Sequence, residues 1–227
     1  MAKVFLSAGH GGSDPGAVAN GLKEKDINLQ TLLACNDVLI RHGITTVLSR
    51  SKDENDPVQQ EVAEANASGA DIAVSFHNNA GKGDGFEAYY YSTSAKGKKL
   101  ASLCEKYVKE LGQNSRGIRA RDGLMFIGKT TMTAVLTEGF FLDNATDKQI
   151  GDTIAEQRAF GVAYAKAILE YYGIPYKDEK PVFSDGEESD TLYRVQLGLY
   201  KNKANALETV AKAKAAGLDA IIKTEKA

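Results

Sequence analysis

The 227-residue sequence has no tryptophan, four prolines and only two cysteines, Cys35 and Cys104. Two cysteines are too few to build a disulfide framework. Cys104 falls on an apolar stripe with helical spacing that runs from Leu100 to Leu111, so it is predicted to be buried and unreactive. Neither cysteine has neighbours that suggest thiolate catalysis.

Long hydrophobic runs and a large net charge are also absent. No stretch approaches the roughly 18 apolar residues of a membrane span, and the first apolar run is too short for a signal peptide. We therefore expect synthesis in the cytoplasm without a signal peptide and no membrane span. Action outside the cell would then require release by a holin or by lysis. The net charge of −2 argues against a nucleic-acid partner.

Short, β-branched apolar runs alternate with longer amphipathic stretches, which is typical of an α/β fold with a largely parallel sheet. Strands are predicted at residues 3–8, 45–49, 72–77, 86–91 and 134–140. Helices are predicted at 24–42, 57–68, 100–111 and 147–172. The tyrosine-rich segment 86–91 alternates poorly, which favours a sheet edge, and the glycine- and arginine-rich segment 112–123 is predicted to be a loop.

Charge and periodicity divide the chain into three parts. Residues 1–175 form the predicted catalytic domain, and residues 176–190 hold six acidic side chains without periodicity, which indicates a flexible linker. Residues 191–227 carry a net charge of +4 and read as a small βαβ unit. Because so short a unit is marginal alone, we expect it to pack on the main domain or to pair with a copy of itself.

Two of the three histidines, His10 and His77, follow apolar, strand-like runs. Glu24 opens a predicted helix, and Glu138 lies inside the apolar run AVLTEGFF. Parallel strands place their carboxyl ends at one edge of a sheet, so these side chains are expected to meet there. Two imidazoles with one carboxylate are a ligand set of hydrolytic zinc sites, and a further carboxylate can serve as the base.

Each of these residues also has a simpler explanation. His10 fits a tight glycine turn, Glu24 fits a favourable charge at a helix N-terminus, and His77 fits a hydrogen-bonded strand end. The third histidine, His42, suits a helix C-terminus and is assigned no ligand role. Glu138 is harder to explain in this way, because burying an unpaired carboxylate in an apolar run is costly.

An ordered series of segments resembles a known family. The segments are VFLSAGHGGSDPGA, GLKEKDINL, VLSRSKD, IAVSFHNNA with GFEAYYY, and VLTEGFFLDN, and together they cover residues 1 to about 173. They resemble the zinc-dependent N-acetylmuramoyl-L-alanine amidases of bacterial cell walls and phage lysins. One departure is SFHNNA in place of the commoner SIHAN, which we expect to put the bulky Phe76 beside the metal.

The resemblance implies a twisted, mixed and mostly parallel sheet flanked by helices on both faces. It implies that His10, Glu24 and His77 bind one Zn²⁺ and that Glu138 is the catalytic base. The implied reaction is attack of zinc-activated water on the amide that joins N-acetylmuramic acid to L-alanine of the peptidoglycan stem peptide. The absence of a signal peptide favours a phage or prophage endolysin.

Candidates for substrate binding are Asn79 and the arginines of NSRGIRARDG, namely Arg116, Arg119 and Arg121. Arginine forks suit the carboxylates of a stem peptide, although a solvated loop is the alternative for each arginine.

The tail, residues 191–227, resembles the opening half of a SPOR domain, a module that binds glycan stripped of peptide. Wall binding and packing as a homodimer both stay open for this segment. Two other functions also stay open for the whole chain: a zinc peptidase or carboxypeptidase that acts on stem peptides, and a non-catalytic wall-binding protein.

Overall fold

A computed structural model of the chain describes residues 2–178 and, beyond them, Val210. The chain divides into two compact units, Met1–Asp178 and Glu179–Ala227. Most of the predicted linker and, apart from Val210, the predicted βαβ unit and its proposed pairing lie outside the described residues. The first unit is described below.

Eight strands and six helices form the first unit. The strands are β1 (Lys3–Ala8), β2 (Val18–Ala19), β3 (Leu22–Lys23), β4 (Thr45–Leu48), β5 (Ile72–Asn79), β6 (Phe86–Tyr90), β7 (Ser115–Ala120) and β8 (Thr133–Phe141). The helices are α1 (Glu24–Arg41), α2 (Val58–Ser68), α3 (Ala95–Lys109), α4 (Met125–Lys129), α5 (Ala145–Lys148) and α6 (Ile154–Tyr171).

Six strands form one sheet in the order β4-β1-β5-β8-β6-β7, while β2 and β3 form a small hairpin. Every pairing in the large sheet is parallel except that of β6 with β8. Apolar side chains of α1, α3 and α6 pack on one face, and those of α2 and α4 pack on the other. The predicted mixed, mostly parallel α/β sheet is therefore confirmed.

The prediction for the tyrosine-rich strand was wrong about its position. The strand β6 lies inside the sheet, between β8 and β7, and the residues expected to form a loop supply the edge strand β7. The sequence of β7, SRGIRA, lacks the apolar alternation of a half-buried strand. Pairing with β6 provides its hydrogen bonds, since strand formation depends strongly on such context.

The final helix is also shorter than predicted. The segment 147–172 is interrupted after α5, and α6 begins only at Ile154. Thr153 caps α6 by accepting from the backbone N–H of Glu156, whose side chain accepts from the backbone N–H of Thr153. This reciprocal capping box defines the true start of the helix.

The C-terminal end of the unit packs against α1. The Tyr176 ring stacks on His42, with ring centroids 5.5 Å apart, and the backbone N–H of Lys177 donates to His42 Nε2 at 3.0 Å. The Nδ1 atom of His42 contacts the carbonyl oxygen of Val38 at 2.8 Å, so this histidine has a packing role at the helix end.

Both cysteines are buried, as predicted for Cys104, and burial raises the pKa of the Cys104 thiol to about 12. Among residues 2–178, no helix combines the length and apolar character needed to cross a membrane.

Candidate active site

The three predicted ligand residues meet at the carboxyl ends of β1 and β5. His10 follows β1, His77 lies near the end of β5, and Glu24 is the first residue of α1. One ligand atom from each of the three side chains lies within 4.8 Å of the others. The two imidazole rings meet edge to face, with centroids 5.0 Å apart.

Glu24 bridges the two histidines with its two carboxylate oxygens. Its Oε2 lies 3.2 Å from His10 Nε2, and its Oε1 lies 3.0 Å from His77 Nδ1. The backbone N–H groups of Ala17 and Asn78 donate to the same two oxygens, at 2.9 and 3.1 Å respectively. The carboxylate is thereby fixed between two imidazole nitrogens, which is the donor set that Zn²⁺ favours.

The contact with Glu24 raises the pKa of His10 to about 9. Burial opposes the charge of His77, but the hydrogen bond with Glu24 and the negative charges of Glu24 and Glu138 together outweigh burial and raise the pKa of this imidazole as well. Burial also opposes the charge of Glu24, yet the two histidines hold the pKa of its carboxyl well below the usual range. In the protein without a metal, the Glu24 carboxylate therefore favours the protonated form of both imidazoles.

Glycines bring these side chains into close contact. A Cβ atom at Gly9 would overlap the His77 ring, and one at Gly16 would meet Glu24 and His10. His10 itself has a φ of +66°, a left-handed conformation that few non-glycine residues adopt. The loop that follows β1 is therefore shaped to aim one imidazole at the ligand cluster.

Polar residues that the sequence analysis did not single out orient the cluster. Asp14 Oδ2 lies 2.8 Å from His10 Nδ1, which leaves His10 Nε2 directed at Glu24. Asn28 donates to the carbonyl oxygen of Gly9 at 2.9 Å and accepts from the Asn78 side chain at 2.8 Å. Such outer contacts fix ligand orientation in metal sites. The available sequence signal for the Asp14 contact was a carboxylate only four residues after His10.

Glu138 lies beside the cluster on the neighbouring strand, directly opposite His77 in the parallel register of β5 and β8. Its Oε2 is buried and has no hydrogen-bond partner among the described residues. Burial raises the pKa of Glu138 to about 7. A carboxyl group with that pKa, next to the histidines, is suited to exchange a proton near neutral pH.

Phe76 does not lie where the sequence analysis expected it. Because alternate residues of a strand point to opposite faces, Phe76 points away from the His77 side. It packs in the helical core with Tyr164, at a ring-centroid distance of 5.1 Å. Its bulk therefore fills the core and leaves the ligand cluster open.

Three of the four predicted substrate-binding residues, Asn79, Arg116 and Arg119, surround a carboxylate that was not predicted, Glu87 of β6. Arg119 Nη1 donates to Glu87 Oε1 at 2.8 Å, and Arg116 Nε lies 3.2 Å from the same oxygen. Asn79 donates to Glu87 Oε2 at 3.2 Å. Arg121 lies apart, with its guanidinium 5.2 Å from the centre of the Tyr89 ring. An acidic residue inside the strand sequence GFEAYYY was the available signal for Glu87.

Residues 4–170 match the sequence pattern of the Amidase_3 family, described as N-acetylmuramoyl-L-alanine amidase. The chain belongs to this amidase family. Residues 171–224 match the SPOR domain, so the amidase carries the C-terminal module that its tail resembles. This second match begins at residue 171, ahead of the predicted boundary at 191, and its first residues lie in the first compact unit.

The amidase is similar to curated proteins along most of its length. It is 33% identical to the N-acetylmuramoyl-L-alanine amidase CwlM of Bacillus licheniformis, over 98% of this chain and 85% of that protein. It is 38% identical to the endolysin of Bacillus phage SPP1, over 78% of this chain and 72% of the endolysin. This amidase is accordingly a peptidoglycan hydrolase.

The fold comparison agrees with the sequence comparison. The amidase superimposes on the catalytic domain of CwlV, the N-acetylmuramoyl-L-alanine amidase of Bacillus (Paenibacillus) polymyxa var. colistinus, with a TM-score of 0.71. The two are 32% identical, and the match covers 77% of this chain and all of that domain.

Proposed function

We propose that this amidase cleaves the bond between N-acetylmuramic acid and L-alanine of the stem peptide with one Zn²⁺ held by His10, Glu24 and His77. The observation that carries the proposal is the convergence of two imidazoles and one carboxylate within 4.8 Å, beside a fourth side chain that can accept a proton. The family of the chain supports the choice of the scissile bond.

The ligand set leaves room for the chemistry. A Zn²⁺ ion held by His10, Glu24 and His77 would keep one position for water or substrate, and it would lower the pKa of water and polarise a carbonyl oxygen. Glu24 contributes one negative charge and the two imidazoles bind as neutral ligands, so the assembled site would keep a net positive charge. Asp14 holds the His10 ring so that Nε2, and not Nδ1, faces the site.

Glu138 is the proposed general base and acid. Its unpartnered Oε2 takes a proton from the attacking water and then delivers that proton to the departing amine of L-alanine. Its buried position raises its affinity for the proton, which favours both halves of this transfer near neutral pH. The products are a glycan with a free lactyl carboxylate and a peptide with a free amino terminus.

The SPOR domain is proposed to hold the amidase on the wall by binding glycan, and thus to supply a second contact to the substrate polymer. Pairing of residues 191–227 in a homodimer is the competing role. The similarity to the endolysin of phage SPP1 supports a proposed role in bacteriolysis at the end of a phage cycle.

Digestion of purified peptidoglycan with the zinc-loaded full chain tests the function. We expect new amino termini on L-alanine and no new reducing sugars. New amino termini elsewhere in the stem peptide would instead identify a zinc peptidase. Binding to the wall without any release of ends would identify a non-catalytic wall-binding protein.

A further inference from the structure

A row of side chains crosses the sheet from the ligand cluster to the edge strand. His77 of β5 lies opposite Glu138 of β8, and Glu138 lies opposite Glu87 of β6. Arg119 of β7 donates to Glu87 and completes the row. Neighbouring strands are about 4.8 Å apart, so the three steps from β5 to β7 span roughly 14 Å. That distance is enough for a peptide to extend from the metal centre to the arginines.

Both carboxylate oxygens of Glu87 already contact other side chains of the protein. Its Oε1 contacts Arg119 and Arg116, and its Oε2 accepts from Asn79 and from the Tyr89 hydroxyl, each at 3.2 Å. The side chain is 7% exposed, so it offers little surface to a substrate. Its one negative charge offsets only one of the two guanidinium charges beside it. The cluster of Glu87, Arg116 and Arg119 therefore keeps a net charge of +1.

The two arginines retain exposed donors. The Arg116 and Arg119 side chains are 42% and 54% exposed. Arg119 uses Nη1 for Glu87 and Nη2 for the carbonyl oxygen of Arg116, at 3.2 Å. Arg116 uses Nε for Glu87 and stacks over Phe141 at 5.4 Å. No hydrogen bond from Arg116 Nη1 or Nη2 occurs within residues 2–178. These N–H groups can take a carboxylate in a bidentate manner.

The charges on the two sides of the scissile bond indicate which group of the substrate this positive cluster can bind. The lactyl carboxyl of N-acetylmuramic acid is consumed in the scissile amide, so the glycan side is neutral near the cleaved bond. Free carboxylates lie only on the peptide side, beginning with the second stem residue. Arg121 is not part of this arrangement, because it follows β7 at the end away from Glu138 and covers the Tyr89 ring.

We propose that Arg116 and Arg119 bind the free carboxylate of the second stem-peptide residue and that Glu87 is the positioning residue that holds them. This inference rests on the proposed function and adds a preference to it. Substrates with a free carboxylate at that residue are cleaved more efficiently than substrates in which the same group is amidated.

Two muramoyl-tripeptides test the preference, identical except that the α-carboxyl of the second residue is free in one and amidated in the other. For the zinc-loaded full chain, kcat/KM is expected to be roughly 10- to 100-fold higher for the free acid, as for loss of a hydrogen-bonded charge pair. Arg116→Gln and Arg119→Gln each bring this ratio towards one. Arg158→Gln is the matched control, because Arg158 pairs with Asp37 through an exposed contact between α6 and α1, and it keeps the ratio.

Glu87→Gln separates positioning from charge. If only the lost negative charge mattered, the variant would prefer the free acid more strongly than the wild type does. If Glu87 positions the arginines, the variant releases them and the preference for the free acid decreases. We expect the decrease. A merely structural role would lower kcat/KM equally for both substrates and leave the ratio unchanged.

A wild-type ratio near one, or a ratio unaffected in both arginine variants, would overturn the subsite and leave the amidase function intact. Failure to cleave either substrate with zinc bound would instead count against the proposed function.

Discussion

Glu138 and Glu87 lie directly opposite each other in the antiparallel pairing of β8 and β6, yet their surroundings are opposite in kind. Glu87 receives four contacts from donors, including two guanidinium groups. Glu138 Oε2 is buried and has no partner within the described part of the chain. Two acids on adjacent strands can thus serve different purposes, one as a structural anchor and the other as a proton carrier.

Replacing Glu138 tests the proton carrier. Glu138→Gln keeps the size of the side chain but removes the base, so we expect zinc content to stay at the wild-type level while turnover falls by about 10²–10⁴-fold. Metal analysis and release of L-alanine amino termini measure the two quantities on one sample. Glu110→Gln, at an exposed position, is the control. Undiminished turnover with zinc bound would remove Glu138 from the mechanism.

Zinc affinity is expected to depend on pH. The pKa of His10 is about 9 in the protein without a metal, so below that pH the imidazole holds a proton that metal binding displaces. Affinity therefore rises with pH, by about tenfold per pH unit for each proton released, and levels off above about pH 9. Competition with a chelator of known affinity, corrected for its own protonation, measures this slope. An affinity that does not change between about pH 6 and 9 would contradict the assigned coupling.

Gly16→Ala tests the close packing around the ligands. Gly16 has a φ of +62°, and an added Cβ would meet both Glu24 and His10. Gly21→Ala is a matched control, because Gly21 has a φ of +81° with nothing within 4 Å of the added atom. Both changes carry the backbone cost of about 1 kcal/mol. Only Gly16→Ala is expected to weaken zinc binding, as titration calorimetry can show. Equal zinc affinity in the two variants would contradict the packing argument.

Asp56 offers a test of stability away from the metal. Both carboxylate oxygens are buried without a partner among residues 2–178, and burial raises the pKa to about 6, from an ordinary value of 3.8. The folded state therefore binds more protons than the unfolded state between these values, and stability is lost as pH rises through this range. Asp56→Asn should raise the free energy of unfolding by about 1–2 kcal/mol at pH 7.5 and by much less near pH 4. Urea unfolding at both pH values measures the difference, and an equal effect at both would refute the ionisation argument.

The sequence was most informative where titratable residues follow or interrupt apolar, strand-like runs. His10 and His77 follow apolar runs, and Glu138 interrupts one, so parallel-sheet geometry alone predicted that they would meet. Glu87 also interrupts an apolar run, GFEAYYY, but no function was predicted for it. Its role depends on Arg116 and Arg119, which are far from it in the sequence.

The edge strand β7 and the break before α6 were the main errors in the predicted fold. The residues of β7 have no apolar alternation, and only the pairing partner β6 makes them a strand. The break before α6 was detectable, since Thr153 and Glu156 have the spacing of a capping box. The hydrophobic pattern on both sides concealed that signal.

Metal titration tests the central claim most directly. Chelator-treated full chain is titrated with Zn²⁺ while bound zinc and release of L-alanine amino termini from peptidoglycan are followed together. We predict that activity rises in proportion to bound zinc, reaches its plateau at one ion per chain, and is lost together with the ion in His77→Ala. Full activity in the metal-free chain, or one tightly bound zinc in His77→Ala with wild-type turnover, would contradict the account.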